Sequence, residues 1–148
     1  MSGAARLHYP PEEVMTRAEI EQFVRHVYDI RLTNDAEKCA SLFAPNSWFR
    51  MAGTLEINPV ARADEPLAGA RQQISTMVRL WQWKSFDFRD VIIEEDRVAV
   101  HYSLTVVFNP TRETVDTEVV DLITVADRKI QTMLEFIDTA VLTRLGFR

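Results

Sequence analysis

Three long β-forming runs fill the last third of this chain, and they constrain its fold more than any other feature. Arg97–Phe108, Thr114–Ala126 and Ile130–Asp138 are rich in Val, Ile, Thr and aromatic residues. Short connections, Asn109-Pro110-Thr111-Arg112 and Asp127-Arg128-Lys129, join them. Runs joined by so few residues can pair only as antiparallel neighbours. Two of the runs also carry acids among apolar residues: Val119-Val120-Asp121-Leu122-Ile123 and Met133-Leu134-Glu135-Phe136. An ionised carboxylate in such surroundings is costly unless it is paired, hydrogen-bonded or neutralised. Asp121 therefore marks the first place to look for function.

The upstream sequence reads as helical with one early strand. Residues 1–15 contain Pro10-Pro11 and predict a flexible N-terminal arm; residues 16–148 predict a single domain. Thr16-Arg17-Ala18-Glu19 is a capping box, followed by Ile20, Phe23, Val24 and Val27 at helical spacing. Asn34-Asp35-Ala36-Glu37 reads as a second box, opening a short helix that Pro45 ends. Ser47–Gly53 predicts a strand, and Thr54–Pro66 a long loop with a short strand near Leu55–Ile57. The pattern predicts a helix over Ala68–Trp83, a strand over Phe86–Glu94 and a last helical turn over Ala140–Leu145. The class is α+β: a cone-shaped, curved antiparallel sheet with about three helices packed on its concave face.

Charge and composition remove several functions. With a net charge of −5 and no Lys/Arg block, the chain lacks the basic stripe that nucleic-acid binding requires. No apolar run reaches the length of a membrane span, and Met1–Tyr9 lacks a signal-peptide core, so a cytoplasmic protein is expected. The single cysteine, Cys39, allows no internal disulfide and sits on an apolar helix face as core filler. No His/Cys/Asp grouping has ligand spacing, so neither a metal nor another cofactor is expected.

Strand parity decides which side chains can meet, because successive residues face opposite sides of a sheet. A three-residue loop at Asp127–Lys129 pairs Ala126 with Ile130 and sets Asp121 opposite Glu135; a two-residue turn flips the parity and separates them. A four-residue loop at Asn109–Arg112 pairs Phe108 with Glu113 and puts Tyr102 beside Asp121, with His101 on the outer face. Tyr28, Trp48, Arg50, Met51, Met77, Trp81, Trp83 and Phe86 supply candidate lining for an apolar cavity.

Several local motifs, in order, resemble the NTF2-like superfamily, in particular its SnoaL-like and ketosteroid-isomerase-like branch. They are Leu42-Phe43-Ala44 before the first strand, Gly69 with Ile74 at the third helix, Arg97-Val98-Ala99-Val100, and Glu135-Phe136-Ile137-Asp138-Thr139. The resemblance covers about residues 16–140. It implies that Asp121, in Val120-Asp121-Leu122-Ile123, holds the place of the acid that ketosteroid isomerases keep protonated. Met51 stands where their proton-shuttling Asp lies, and Val27 aligns with their helix-1 Tyr, one residue before Tyr28. Compared with limonene-epoxide-hydrolase-like members, Glu135 matches the second acid and Val119 replaces the bridging Arg. SnoaL-type polyketide cyclases, which use one pocket acid on this sheet, are the least demanding match.

These readings converge on an acid/base enzyme of isomerase, cyclase or hydrolase type. Its substrate would be a small hydrophobic cyclic or carbonyl compound, with Asp121, Glu135 and Tyr102 as catalytic groups. The alternatives are a non-catalytic ligand-binding or dimeric accessory protein, and an interaction module with a filled interior. A homodimer through the outer sheet face is expected in each case.

Overall fold

The computed structural model describes residues 14–53 and 69–146. The elements run α1 (Arg17–Leu32), α2 (Ala36–Ser41), β1 (Phe43–Met51), α3 (Ala70–Leu80), β2 (Trp81–Glu94), β3 (Arg97–Phe108), β4 (Glu113–Ala126), β5 (Lys129–Phe136) and α4 (Thr139–Arg144). One five-stranded sheet forms in the order β1-β5-β4-β3-β2. Strands β2 to β5 are the expected antiparallel meander, and β1 joins its edge parallel to β5. Helices α1 and α3 pack on the sheet's inner face, α1 chiefly against β2 and α3 against β1.

The first helix starts as its sequence dictates. Glu19 N–H donates to Thr16 Oγ1 at 3.2 Å, and Thr16 N–H donates to Glu19 Oε2 at 2.9 Å. The second helix differs in detail. Asp35, not Asn34, is the cap, accepting from Lys38 N–H at 3.0 Å. Asn34 instead takes a left-handed backbone, φ 57°, which frees its side chain for a longer-range task. Pro45 does not end this helix. The strand has begun by Phe43, and Pro45 falls in the irregular stretch of β1 between Phe43 and Trp48, where an edge strand tolerates a missing N–H.

Helix α3 stops three residues earlier than its periodicity suggests. Ala70, Ile74 and Val78 form its buried stripe, but Trp81 and Trp83 open β2, opposite Phe108 and Val106. Cross-strand packing of large aromatics outweighs the helical pattern there. The ring centroids of Trp81 and Phe108 lie 4.7 Å apart. Strand β2 also carries two register shifts, at Lys84 and Arg89. Each inserts one residue, bends the strand and resets its parity. Trp83, Phe86, Phe88, Val91 and Ile93 therefore all lie opposite inward residues of β3, although no single alternation links them. The expected short strand near Leu55–Ile57 and most of the N-terminal arm lie outside the described residues.

Candidate active site

The two acids meet, by a route that parity alone did not foresee. The β4–β5 connection is a two-residue turn, Asp127-Arg128, pairing Ala126 with Lys129. Both turn residues have positive φ, 51° and 54°, as the tightest hairpins require. Such a turn by itself separates Asp121 from Glu135. A register shift between Thr124 and Val125 adds Gln131 to β5 and restores the alignment, so Asp121 stands directly opposite Glu135. On the other side the four-residue connection forms as expected, with Phe108 opposite Glu113 and Val100 opposite Asp121.

Asp121 is only 2% exposed. Its Oδ2 accepts from Tyr28 Oη at 2.5 Å and from Tyr102 Oη at 3.1 Å. Tyr28 comes from α1 and Tyr102 from β3, and their rings meet edge to face at 5.0 Å. Burial, then the negative charge of Asp121, pushes both phenols well above their ordinary range, so both remain donors. No backbone N–H and no phenol or alcohol hydroxyl of the described residues donates to Oδ1 of Asp121. A buried acceptor left so is costly, and the neighbouring carboxyl supplies the remedy. Burial and the adjacent Asp121 raise Glu135 well above the usual glutamate range, while Arg31 opposes the shift. Burial also raises Asp121, against the hydrogen bonds from Glu135, Tyr28 and Tyr102. The stronger upward push falls on Glu135, so it is the member that keeps a proton more readily, and a carboxyl O–H there can serve Asp121 as a donor. Two like charges at one site resolve into one proton and one anion.

These groups open onto a cavity of about 110 Å³. Tyr28, Met51, Met77, Trp81, Trp83, Tyr102, Asp121 and Glu135 all line it. Three predicted lining residues do not. Phe86 stands behind the wall, its ring 5.9 Å from Tyr28 and 5.7 Å from Trp83. Trp48 and Arg50 alternate with the buried Ser47, Phe49 and Met51, so they take the opposite face of β1. Strand parity forbids Arg50 and Met51 from sharing a cavity, and Phe49 is the lining residue that parity selects.

The sequence reading missed Arg31. It lies three residues after Tyr28 and four after Val27, so one more turn of the apolar stripe on α1 reaches it. Its guanidinium lies over Trp83, 4.8 Å from the ring centroid. One Nη2–H donates to Trp81 O at 2.6 Å and one Nη1–H to Asn34 Oδ1 at 3.0 Å. Asn34 in turn clasps the Trp83 backbone, accepting from its N–H at 2.8 Å and donating to its C=O at 3.0 Å. The left-handed asparagine therefore locks the end of α1 to the start of β2 and fixes the arginine. Cys39 also lines the cavity, with burial raising its thiol above the ordinary range, which keeps it unreactive. Among the described residues no group of three or more His, Cys, Asp or Glu could hold a metal ion, and no helix is long and apolar enough to cross a membrane.

An open, curved sheet with helices on its inner face and a cavity between defines a class of small domains. The SnoaL-like domain family matches residues 24–133, and the chain belongs to it; its fold is shared with solved NTF2-like proteins. Solved structures with this fold include an NTF2-like protein from Burkholderia xenovorans LB400, 20% identical, TM-score 0.64, covering 88% of this chain and 97% of that one. An LEH-like epoxide hydrolase from M. tuberculosis is 11% identical, TM-score 0.64, covering 86% and 88%. TerC, co-crystallised with polyporic acid, is 18% identical, TM-score 0.66, covering 85% and 95%. At these identities the likeness is one of fold. No curated protein matches the chain.

Proposed function

We propose that this protein is an acid/base enzyme acting on a small, largely apolar cyclic or carbonyl compound. The observation that carries the reading is the placement of Asp121 directly opposite Glu135 at the wall of an apolar cavity, where burial raises both and favours one shared proton. Such a pair can accept a proton at one oxygen and return one from another. Asp121 is the enclosed member, anchored by Tyr28 and Tyr102. Glu135 is partly accessible and is the end a ligand meets. The tyrosyl hydroxyls are the candidate donors to an oxygen on which charge develops. The resemblance to ketosteroid isomerases aligned Val27, but Tyr28 is the residue bonded to Asp121, which strengthens the catalytic reading. A neighbour of the same fold holds polyporic acid, which supports an organic acid or carbonyl compound as ligand.

The test is proton exchange at carbon. With cyclohexanone in deuterated buffer, the wild type accelerates exchange of the protons beside the carbonyl, read by proton NMR. Asp121→Asn and Glu135→Gln each abolish the acceleration. Unaccelerated exchange in the wild type, or acceleration that survives both substitutions, removes the reading.

A ligand-binding or accessory role is the second reading, favoured by Met51 where ketosteroid isomerases carry their shuttling acid. For either role we propose a homodimer through the outer sheet face. Ile92, Ala99, Leu122 and Leu134 form one row across β2, β3, β4 and β5, with Ile92 58% and Leu122 42% exposed. The His101–Glu118 pair, 3.2 Å apart, flanks it with hydrogen-bonding groups, which suits a two-fold copy. Sedimentation of a monomer at micromolar concentration sinks this proposal.

A further inference from the structure

We infer that Arg31 is the anion-recognition residue of the cavity, and that the ligand is a flat, single-ring compound carrying a carboxylate. The inference rests on the pocket reading above and names its substrate class. Arg31 lines the cavity, and an arginine carries five N–H donors. The carbonyl of Trp81 and the amide of Asn34 take two of them. Three remain without a partner among the described residues, and none of the described carboxylates forms an ion pair with this guanidinium.

The acid pair feels that charge without forming an ion pair with it: Arg31 holds down the shift of Glu135, yet the two make no salt bridge. Two carboxyls holding one proton amount to one negative charge, and Tyr28 and Tyr102 already bond the oxygen that carries it. Arg31 sits three residues beyond Tyr28 on the helix, about 4.5 Å along its axis. The cavity wall thus carries two kinds of polar group: a fixed guanidinium and a carboxyl pair. The fixed geometry matters as much as the charge. The contact with the Trp83 ring and the two hydrogen bonds together hold the guanidinium in place. A planar fork held in this way recognises a carboxylate through two parallel bonds. Trp81 and Trp83 flank it with ring surface suited to the ligand's flat body. A volume of about 110 Å³ is on the scale of cavities that accept one benzene ring.

The experiment is isothermal titration at neutral pH with benzoate, cinnamate and their amides, which match in shape and differ in charge. The wild type binds each acid about tenfold or more tightly than its amide, the worth of a charge-assisted bond. Arg31→Gln removes the preference. Arg31→Lys, which keeps the charge without the fork, retains part of it. Glu118→Gln, on the outer face of the sheet, leaves the preference in place. Equal binding of acids and amides by the wild type overturns the inference while leaving an apolar pocket intact. A preference that persists in Arg31→Gln overturns it too. Binding of none of the four probes takes the pocket reading down with it. If Arg31→Gln does not fold, the acid–amide comparison on the wild type decides alone.

Discussion

Glu118 and Asp121 are acids three residues apart on β4, and they live in different chemical worlds. Glu118 faces outward and meets His101 Nε2 at 3.2 Å, with its side chain 68% exposed. Around it Thr105 donates to Asp116 at 2.7 Å and Arg89 donates to Ser103 at 2.7 Å, all at the surface. Asp121 faces inward, is 2% exposed, and holds two phenolic donors and a second carboxyl. Outside, water competes for each charge and every pair is weak. Inside, with little water, the same functional group must share a proton or find donors. One step of strand alternation separates a solubilising residue from a candidate catalyst.

The largest effect that tests this contrast is one of packing. Ile123 is 2% exposed on the inner face and Leu122, its neighbour, is 42% exposed on the outer. Ile123→Ala should cost about 2–5 kcal/mol in chemical denaturation. Leu122→Ala should cost under about 1 kcal/mol in fold stability. Equal losses at the two positions break the inside–outside contrast.

A smaller and more diagnostic effect is in the pH dependence. Near its ordinary value of 4.5 an unfolded Glu135 begins to lose its proton, whereas the folded one keeps it to higher pH. Across that window the native state binds more protons than the unfolded state, so stability falls as pH rises; Asp121, also raised, acts with the same sign. Glu135→Gln removes its share of the decline. The variant's stability relative to wild type should therefore climb from about pH 5 to pH 8, measured by urea unfolding at each pH. A flat or opposite difference means that Glu135 is ionised in the native protein, and the proton-sharing site is lost.

The smallest expected effect lies outside. Glu118→Gln, which weakens the pair with His101, should change stability by less than about 1 kcal/mol. A larger loss would show that the outer face carries electrostatics as consequential as the inner.

How far the sequence alone reached differs between strands. On β3 and β4 the spacing of Phe108 and Glu113 across a four-residue connection set Tyr102 beside Asp121 and His101 outside, and both are so placed. On β1 the alternation was legible, yet Trp48 and Arg50 were grouped with Met51 by chemistry rather than by parity. Across β4–β5 the outcome hinged on one extra residue, Gln131, which no local signal marks. Arg31 was legible in principle, one helical turn past Tyr28, but a charged residue at the end of an apolar stripe usually reaches solvent. Only the clasp of Asn34 on Trp83, drawn from 49 residues away, shows why this one is held.

The sequence by itself determined the elements, the meander and the presence of two acids among apolar neighbours, because those follow from short-range periodicity and turn length. Tertiary structure decided whether those acids meet, which phenols reach them and which cation shares their cavity. The reason is physical: a bulge shifts every later side chain by one face, and a contact between α1 and β2 depends on where the whole sheet bends. Local sequence carries no separate record of either.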